Sequence, residues 1–174
     1  MTTEDRYSLW LMPEGAVDGD LQAVVDRLAR EHGGPTFPPH VTLFGGIIGP
    51  EDDVVARSRE LAARVAPFTV HLGDVDAGET YFQSLFAIAS PTPDLLAARE
   101  AAQQAFSDVT AEPYRPHLSL LYTSELPEER KPAIADGIGL ALPVTIRVDA
   151  AEVWANFRDE VTRWRRVARV VLSG

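Results

Sequence analysis

The chain lacks cysteine, which excludes disulfides, thiolate nucleophiles, zinc ribbons and iron–sulfur clusters. It is also poor in positive charge: 16 basic residues against 26 acidic ones leave a net charge of −10. This balance is a poor match for long duplex nucleic acid, whose phosphates need Lys and Arg to neutralise them. No apolar run approaches the roughly 20 residues of a membrane-spanning helix, and the first residues lack the basic and apolar segments of a secretion signal. We expect a cytoplasmic monomer without membrane contact.

The composition is that of a folded globular protein, with 45% hydrophobic and 24% charged residues. A length of 174 residues fits one compact domain or two small lobes that share a core. We therefore expect a single bilobal domain over residues 1–174.

Two pairs of segments indicate an internal repeat. Residues 7–13 resemble residues 83–91, and residues 37–44 (FPPHVTLF) resemble residues 114–121 (YRPHLSLL). The offset is 76 positions between Ser8 and Ser84 and 77 between His40 and His117, so the two units match at both ends. The repeat covers about residues 7–75 and 82–150, and residues 151–172 read as a closing hairpin.

Helical spacing of apolar residues predicts a helix between the matching segments of each unit. The first helix is expected to be capped by Asp18 or Asp20 and to end at Gly33, and the second to be capped by Asp94. Their buried faces are predicted as Leu21, Val24, Val25 and Leu28 in the first, and Leu95, Ala98, Ala102 and Phe106 in the second. Later patterns predict helices near residues 54–65 and 127–135, and strands near 68–72 and 144–148. The expected architecture has two sheets, each with helices on its outer face, related by a pseudo-twofold repeat.

The repeated octapeptide carries the chemistry. Because alternate side chains of a strand share a face, His40 and Thr42 project together, and so do His117 and Ser119. A proline precedes each histidine, which places each imidazole near the start of a strand. Two such pairs facing each other across a cleft suit phosphoryl transfer, in which the attacking and leaving oxygens lie in line. One imidazole can take a proton from water and the other can protonate the leaving oxygen, while the hydroxyls donate to the phosphate.

At these motifs the sequence resembles the 2H phosphoesterase superfamily, which is named for two His-x-Thr/Ser motifs. Residues 7–13, 37–44, 81–83 and 116–122 are similar to its plant and yeast cyclic phosphodiesterase branch. The resemblance implies a bilobal α+β fold with a water-filled cleft between two antiparallel sheets. It also implies metal-independent, cofactor-free hydrolysis of a small nucleotide with a cyclic phosphate, either ADP-ribose 1″,2″-cyclic phosphate or a nucleoside 2′,3′-cyclic phosphate. His117 is then the base that activates water and His40 the acid, although the sequence itself leaves these roles interchangeable.

Further residues are expected around the phosphate. The resemblance implies aromatic contacts to the nucleoside from Trp10, Phe82 and Tyr122; the Tyr122 hydroxyl could also bind phosphate, although regular strand alternation puts Tyr122 on the face opposite Ser119. Arg115 is expected at the mouth of the cleft. The tail is rich in arginine and is interpreted either as a solvated strand face or as a positive rim that steers an anionic substrate: Arg158, Arg163, Arg165, Arg166 and Arg169.

Three other functions fit the same residues less well. An enzyme for RNA ends or 2′–5′ linkages would need a basic track, which only the tail offers. A catalytically silent nucleotide-binding protein would have no need to keep both histidines and both hydroxyls. A metal site on His40 and His117 would lack an adjacent carboxylate.

Overall fold

A computed structural model describes residues 6–156 and 160–174. Within these ranges the strands are β1 (Arg6–Leu11), β2 (Val41–Ile48), β3 (Phe68–Ala77), β4 (Leu85–Ala89), β5 (His117–Leu121), β6 (Val144–Val148), β7 (Ala150–Asn156) and β8 (Arg165–Val171). The α-helices are α1 (Ala16–His32), α2 (Glu51–Ala62), α3 (Pro93–Ala105) and α4 (Lys131–Asp136), and short 3₁₀ turns cover Tyr81–Gln83, Glu128–Arg130 and Val161–Arg163. None of these helices is both long and apolar enough to cross a membrane. The α+β class is confirmed.

The described strands form one antiparallel sheet in the order β6-β3-β4-β5-β2-β1-β7-β8. The sequence predicted two separate sheets, and the structure differs because β2 and β5 pair at the centre through Val41 and Leu118. This is the single residue pair that joins the two four-stranded halves among the described residues. The matching strands β1 and β4 flank this junction on either side, and the pseudo-twofold repeat itself stays a prediction.

The helices cover one face of the central strands. Helix α1 packs on β5, and α3 packs on β2 and β3, so the helix of each predicted unit covers a strand of the other. Side chains on this face of β1 and β2, such as Leu9, Leu11, Val41 and Leu43, belong to the hydrophobic core. The alternate residues of the same strands therefore project from the opposite face, where the site described below lies.

The ends of two helices differ from the sequence prediction. Helix α1 begins at Ala16, so Asp18 and Asp20 lie inside it and do not cap it, whereas Gly33 ends it with a φ of 75° as predicted. Helix α3 is capped by Thr92, whose hydroxyl accepts a hydrogen bond from the Leu95 amide at 3.4 Å. Asp94 lies in the first turn because proline, here at position 93, favours the first helical position after a capping residue.

The predicted closing hairpin is present as the antiparallel pair β7 and β8. Phe157, which the sequence pattern places in its first strand, and Arg158 and Asp159 of its turn lie outside the described residues.

Candidate active site

The junction of β2 and β5 brings the two motifs together. In the antiparallel register that pairs Val41 with Leu118, His40 lies opposite Ser119, and Thr42 lies opposite His117. Both members of the joining pair are fully buried in the core. The four polar side chains therefore project from the other face, and each imidazole has the hydroxyl of the other motif beside it.

The two imidazoles are held in the same way. Nδ1 of His40 lies 2.7 Å from the carbonyl oxygen of Pro38, and Nδ1 of His117 lies 2.7 Å from that of Arg115. A carbonyl accepts only, so each Nδ1 carries the proton and donates it. Nε2 of each ring is then the nitrogen that takes up or releases a proton in the cleft. Nε2 of His117 lies 3.5 Å from the side-chain amide nitrogen of Gln83.

The two histidines differ in burial. His40 is 6% exposed, and burial lowers its pKa to about 4 against the opposing effect of the Pro38 hydrogen bond. The nearby His117 lowers this pKa further. His117 is only half-buried, and burial also lowers its pKa; the hydrogen bond to the Arg115 carbonyl opposes this effect, and the charge of the Arg115 guanidinium adds to it. Both imidazoles are therefore mainly neutral near pH 7 in the free protein.

Ser119 and Tyr122 meet on the cleft side. The Ser119 hydroxyl donates to the carbonyl of Phe82 at 2.7 Å and lies close enough to the Tyr122 phenol to lower its pKa. Burial has the larger and opposite effect, which raises the pKa of Tyr122 and keeps its O–H as a donor.

Tyr122 lies on the cleft side because β5 ends at Leu121, so the strand alternation does not extend to it. Its ring stacks on Phe37 with centroids 3.7 Å apart. Gly34 packs directly against its backbone: a Cβ on Gly34 would lie 2.2 Å from the Tyr122 carbonyl oxygen. This close approach fixes the place of Tyr122 in the cleft.

Trp10 lines the cleft, but other rings cover both faces of its indole. Its ring stacks on His40 with centroids 3.5 Å apart and planes 7° apart, and on Trp154 with centroids 4.4 Å and planes 18° apart. Two rings this close to the indole cannot both fit on the same face without clashing. His40 and Trp154 therefore cover opposite faces of the indole. Trp10 is 1% exposed. A base therefore cannot stack on a face of Trp10, because protein side chains occupy both faces, whereas a contact between the nucleoside and the edge of Trp10 stays a prediction.

The motifs line a cleft of about 590 Å³. Its wall also contains the predicted Phe82 and several residues that the sequence analysis did not single out, among them Ser8, Gln83, Asn156 and Trp164. Trp164 lies 6.2 Å from Phe82, with the two rings stacked. It belongs to the closing hairpin, whose position across the sheet no local pattern specifies.

Arg115 lies in a second cavity, of about 270 Å³, together with Asp76, Phe86 and Ile88. His117 and Gln83 line both cavities and separate them. Arg115 therefore lines the second cavity and not the larger cleft, at whose mouth it was expected, and its contact with a nucleoside stays a prediction.

The arginines of the tail are paired with carboxylates. Arg166 contacts Glu152 at 3.0 Å, and Arg169 contacts Asp149 at 2.8 Å. Arg165 pairs with Glu51, and Arg163 pairs with Glu160. These pairs favour the interpretation as a charge-balanced strand face over that as a positive rim; Arg158 lies outside the described residues. The described residues contain no group of three His, Asp or Glu side chains that could hold a metal ion.

Comparison with known proteins decides the family. The sequence matches the model of the 2′-5′ RNA ligase superfamily over residues 14–160. The chain belongs to the 2′-5′ RNA ligase superfamily. Membership in this superfamily of two-histidine phosphoesterases makes the chain a hydrolase that acts on phosphodiester bonds.

Individual relatives agree with this assignment. The chain is 31% identical over 130 residues to a protein of Arabidopsis thaliana named cyclic phosphodiesterase, a match that covers 75% of this chain and 72% of the plant protein. Among solved structures, the protein TT0787 of Thermus thermophilus superposes with a TM-score of 0.65 at 19% identity, covering 97% of this chain and 98% of its own. E. coli LigT complexed with phosphate superposes with a TM-score of 0.60 at 16% identity, covering 99% of this chain and 100% of its own. These two structures support the fold.

Proposed function

We propose that this member of the 2′-5′ RNA ligase superfamily hydrolyses the cyclic phosphodiester of a small nucleotide to a phosphomonoester. The observation that carries the proposal is the junction of β2 and β5, at which His40 and His117 line one cleft with a hydroxyl beside each imidazole. The plant relative named cyclic phosphodiesterase supports this substrate class. The substrates proposed are nucleoside 2′,3′-cyclic phosphates and ADP-ribose 1″,2″-cyclic phosphate.

The reaction needs one proton acceptor and one proton donor. A water oxygen attacks phosphorus and gives its proton to one imidazole, while the ester bond to one ribose oxygen breaks and that oxygen takes a proton from the other imidazole. Proton balance is kept because one histidine gains what the other loses. Thr42, Ser119 and Tyr122 donate hydrogen bonds to the non-bridging oxygens, on which negative charge grows. Ser119 must turn its hydroxyl from the Phe82 carbonyl to do so.

We propose His117 as the base and His40 as the acid. His117 lies between the cleft and the second cavity, so water can reach it from the side away from the nucleoside. His40 also lines the cleft, and Trp10 covers one face of its imidazole. A phosphodiester anion bound beside this buried ring favours its cationic form more strongly than it would in water, because burial weakens screening. The neutral His40 of the free protein thus gains the proton that it later donates.

Phe82, Tyr122 and Trp164 are proposed to contact the nucleoside. They form a connected group of rings in the wall of the cleft, with Phe82 and Tyr122 5.1 Å apart and Tyr122 and Trp164 6.0 Å apart. A base placed against such rings gains stacking and apolar contact.

The proposal is tested by incubating the purified protein with both substrate classes and following the products by ³¹P NMR. His40→Ala and His117→Ala should each lower kcat by about 10²–10⁴-fold, the usual contribution of general acid–base catalysis. His71→Ala is the matched control, because His71 is exposed on β3 and contacts Thr145 at 2.9 Å. EDTA should have no effect. Undiminished activity of either cleft variant would refute the proposal.

A substrate that needs no general acid separates the two roles. The cyclic phosphate of catechol has a phenolate leaving group, which departs without being protonated. His40→Ala should recover most of its lost activity on this compound, whereas His117→Ala should not. Recovery by His117→Ala alone would reverse the assignment.

A further inference from the structure

The indole of Trp10 lies on the cleft side of the sheet and is buried there. The neighbouring β1 residues Leu9 and Leu11 belong to the hydrophobic core under the helices, whereas Trp10 lies outside that cluster and is nonetheless 1% exposed. Its nearly parallel contact with His40, at 3.5 Å between centroids, accounts for one covered face. A large aromatic ring has therefore been buried against a proposed catalytic imidazole instead of against the core.

A chain of contacts holds Trp10 from behind. Trp154 stacks on its other face. The indole N–H of Trp154 donates to the carboxylate of Glu152 at 2.8 Å, and the second oxygen of that carboxylate accepts from Arg166 at 3.0 Å. Glu152 is 8% exposed, so this carboxylate is largely shielded from water and keeps both partners. The plane of Trp10 is thus determined by side chains of β7 and β8.

The second motif has no equivalent stack. The nearest aromatic ring to His117 in the described structure is that of Phe86, which meets it edge-on with centroids 5.3 Å apart and planes 65° apart. Both imidazoles share the Nδ1 contact to a backbone carbonyl. The difference between the two motifs is therefore the aromatic stack on His40.

We propose that Trp10 is a positioning residue that fixes the plane of the His40 imidazole and keeps its Nε2 directed at the scissile phosphodiester. This inference rests on the proposed function of His40 and is distinct from the nucleoside contact that the resemblance implies for Trp10. A single hydrogen bond at Nδ1 restrains one atom of the ring but leaves it free to tilt about that bond. The indole removes the remaining freedom, and a misplacement of about 1 Å can cost 10²-fold in rate.

The stack also acts on the protonated form of His40. The face of an indole attracts a cation, so Trp10 favours the imidazolium that donates the proton. The other ionisable or charged groups around the ring are His117 and Tyr122 across the cleft, Arg6 on β1 at its mouth, and Glu152 and Arg166 behind Trp10. None of these groups stacks on the His40 imidazole in the described structure, whereas Trp10 covers one of its faces.

Kinetics of Trp10→Leu and Trp10→Phe test the proposal. Trp10→Leu removes the aromatic face and should lower kcat by about 10–100-fold with little change in KM, and it should shift the limb of the pH profile of kcat that reports His40. Trp10→Phe keeps an aromatic face and should restore most of the activity. Phe86→Leu is the matched control, because it removes the ring that meets the other imidazole edge-on; it should leave the limb that reports His40 in place.

A spectroscopic readout is independent of turnover. Two-bond ¹H–¹⁵N correlations of the histidine side chains should show one fixed tautomer of His40, with the proton on Nδ1, in the wild type and in Trp10→Phe. In Trp10→Leu the ring should be free to turn away from the Pro38 carbonyl, so the hydrogen bond at Nδ1 weakens and a share of the tautomer with the proton on Nε2 should appear. If Trp10→Leu is too unstable, Trp154→Phe keeps a ring but loses the bond to Glu152, and it should give a smaller change of the same kind.

These results distinguish the proposal from the alternatives. An increase in KM alone for Trp10→Leu, with an unchanged pH profile and tautomer, would show a nucleoside-binding residue. Wild-type kinetics and tautomer in Trp10→Leu would show a space-filling residue. Either outcome overturns the proposal. If instead His40→Ala is fully active, the proposed function fails, while the tautomer measurement still reports whether Trp10 orients the ring.

Discussion

At the scale of single residues, the two histidines of the cleft share a hydrogen bond and differ in their surroundings. Each donates its Nδ1 proton to the carbonyl oxygen two residues before it. Burial lowers both pKa values, that of His40 to about 4. The neutral forms that result leave the free enzyme with two proton acceptors, and bound phosphodiester must favour protonation of one of them.

The buried state of His40 makes a prediction for NMR titration. The Cε1 proton of His40 should titrate with a midpoint near pH 4 in the free protein, and binding of a 2′-nucleotide should raise the midpoint, since the phosphate favours the imidazolium. A free-protein midpoint at or above 6.5 would contradict the burial described here.

The same pKa shift predicts how stability depends on pH. The unfolded chain, with a histidine pKa of about 6.5, binds a proton that folded His40 does not bind until about pH 4. Stability from this group is therefore complete above pH 6.5 and is lost as the pH falls towards 4, by about 1.4 kcal/mol for each pKa unit of depression. His40→Gln should lose less stability than wild type over that interval in urea unfolding. An equal loss would show that His40 is not buried as a neutral group.

At the scale of elements, the segment between α1 and β2 positions two side chains of the site: the proposed catalytic His40 and Phe37, which packs on Tyr122. It starts with Gly33 and Gly34, contains Phe37, which stacks on Tyr122, and ends at His40. Both glycines have positive φ values, 75° and 111°. The two glycines differ in the room available for a side chain. Nothing lies within 4 Å of a Cβ on Gly33, whereas a Cβ on Gly34 would lie 2.2 Å from the Tyr122 carbonyl oxygen.

This difference gives a matched pair of variants. Gly33→Ala should cost about 1–3 kcal/mol from backbone strain alone, because φ 75° with ψ 162° is a conformation that essentially only glycine adopts. Gly34→Ala should cost more, because the backbone of Tyr122 has to move, and it should also lower kcat by displacing the phenol in the cleft. Chemical unfolding and initial rates measure both effects. Equal stability and equal activity for the two variants would show that the contact of Gly34 with Tyr122 is unimportant.

Local patterns sufficed to predict the motifs, both His–hydroxyl pairs and the helices, because these depend on residues close in sequence. The buried residues of α1 are the predicted Leu21, Val24, Val25 and Leu28. The Trp154–Trp10–His40 stack could not be predicted in this way, since it joins strands far apart in the chain. The joining of the two halves into one sheet also depends on a single long-range pair, Val41 with Leu118. Alternation along β5 misplaced Tyr122 because it did not show where the strand ends.

At the scale of the whole molecule, the charge distribution favours a small substrate. The net charge is −10. The described arginines of the tail are paired with Glu51, Asp149, Glu152 and Glu160. Such pairs leave little positive potential to follow an extended polyanion.

Salt dependence of binding tests this conclusion. A single-stranded oligonucleotide that ends in a 2′,3′-cyclic phosphate should bind no more tightly than the cyclic mononucleotide, as measured by calorimetry with the His117→Ala variant. The slope of log K against log salt should be no steeper than about −1.5, which corresponds to about two neutralised phosphates on a single strand. A steep slope, with tighter binding of the oligonucleotide, would favour an enzyme for RNA ends.

The central claim is that His40 and His117 act on one phosphorus atom from two sides. A crystal structure with a nucleoside vanadate, which mimics five-coordinate phosphorus, measures this most directly. The account predicts vanadium in the cleft, with its two axial oxygens each about 2.6–3.2 Å from the Nε2 atom of a different histidine. Vanadate bound away from the cleft, or within reach of only one imidazole, would contradict it.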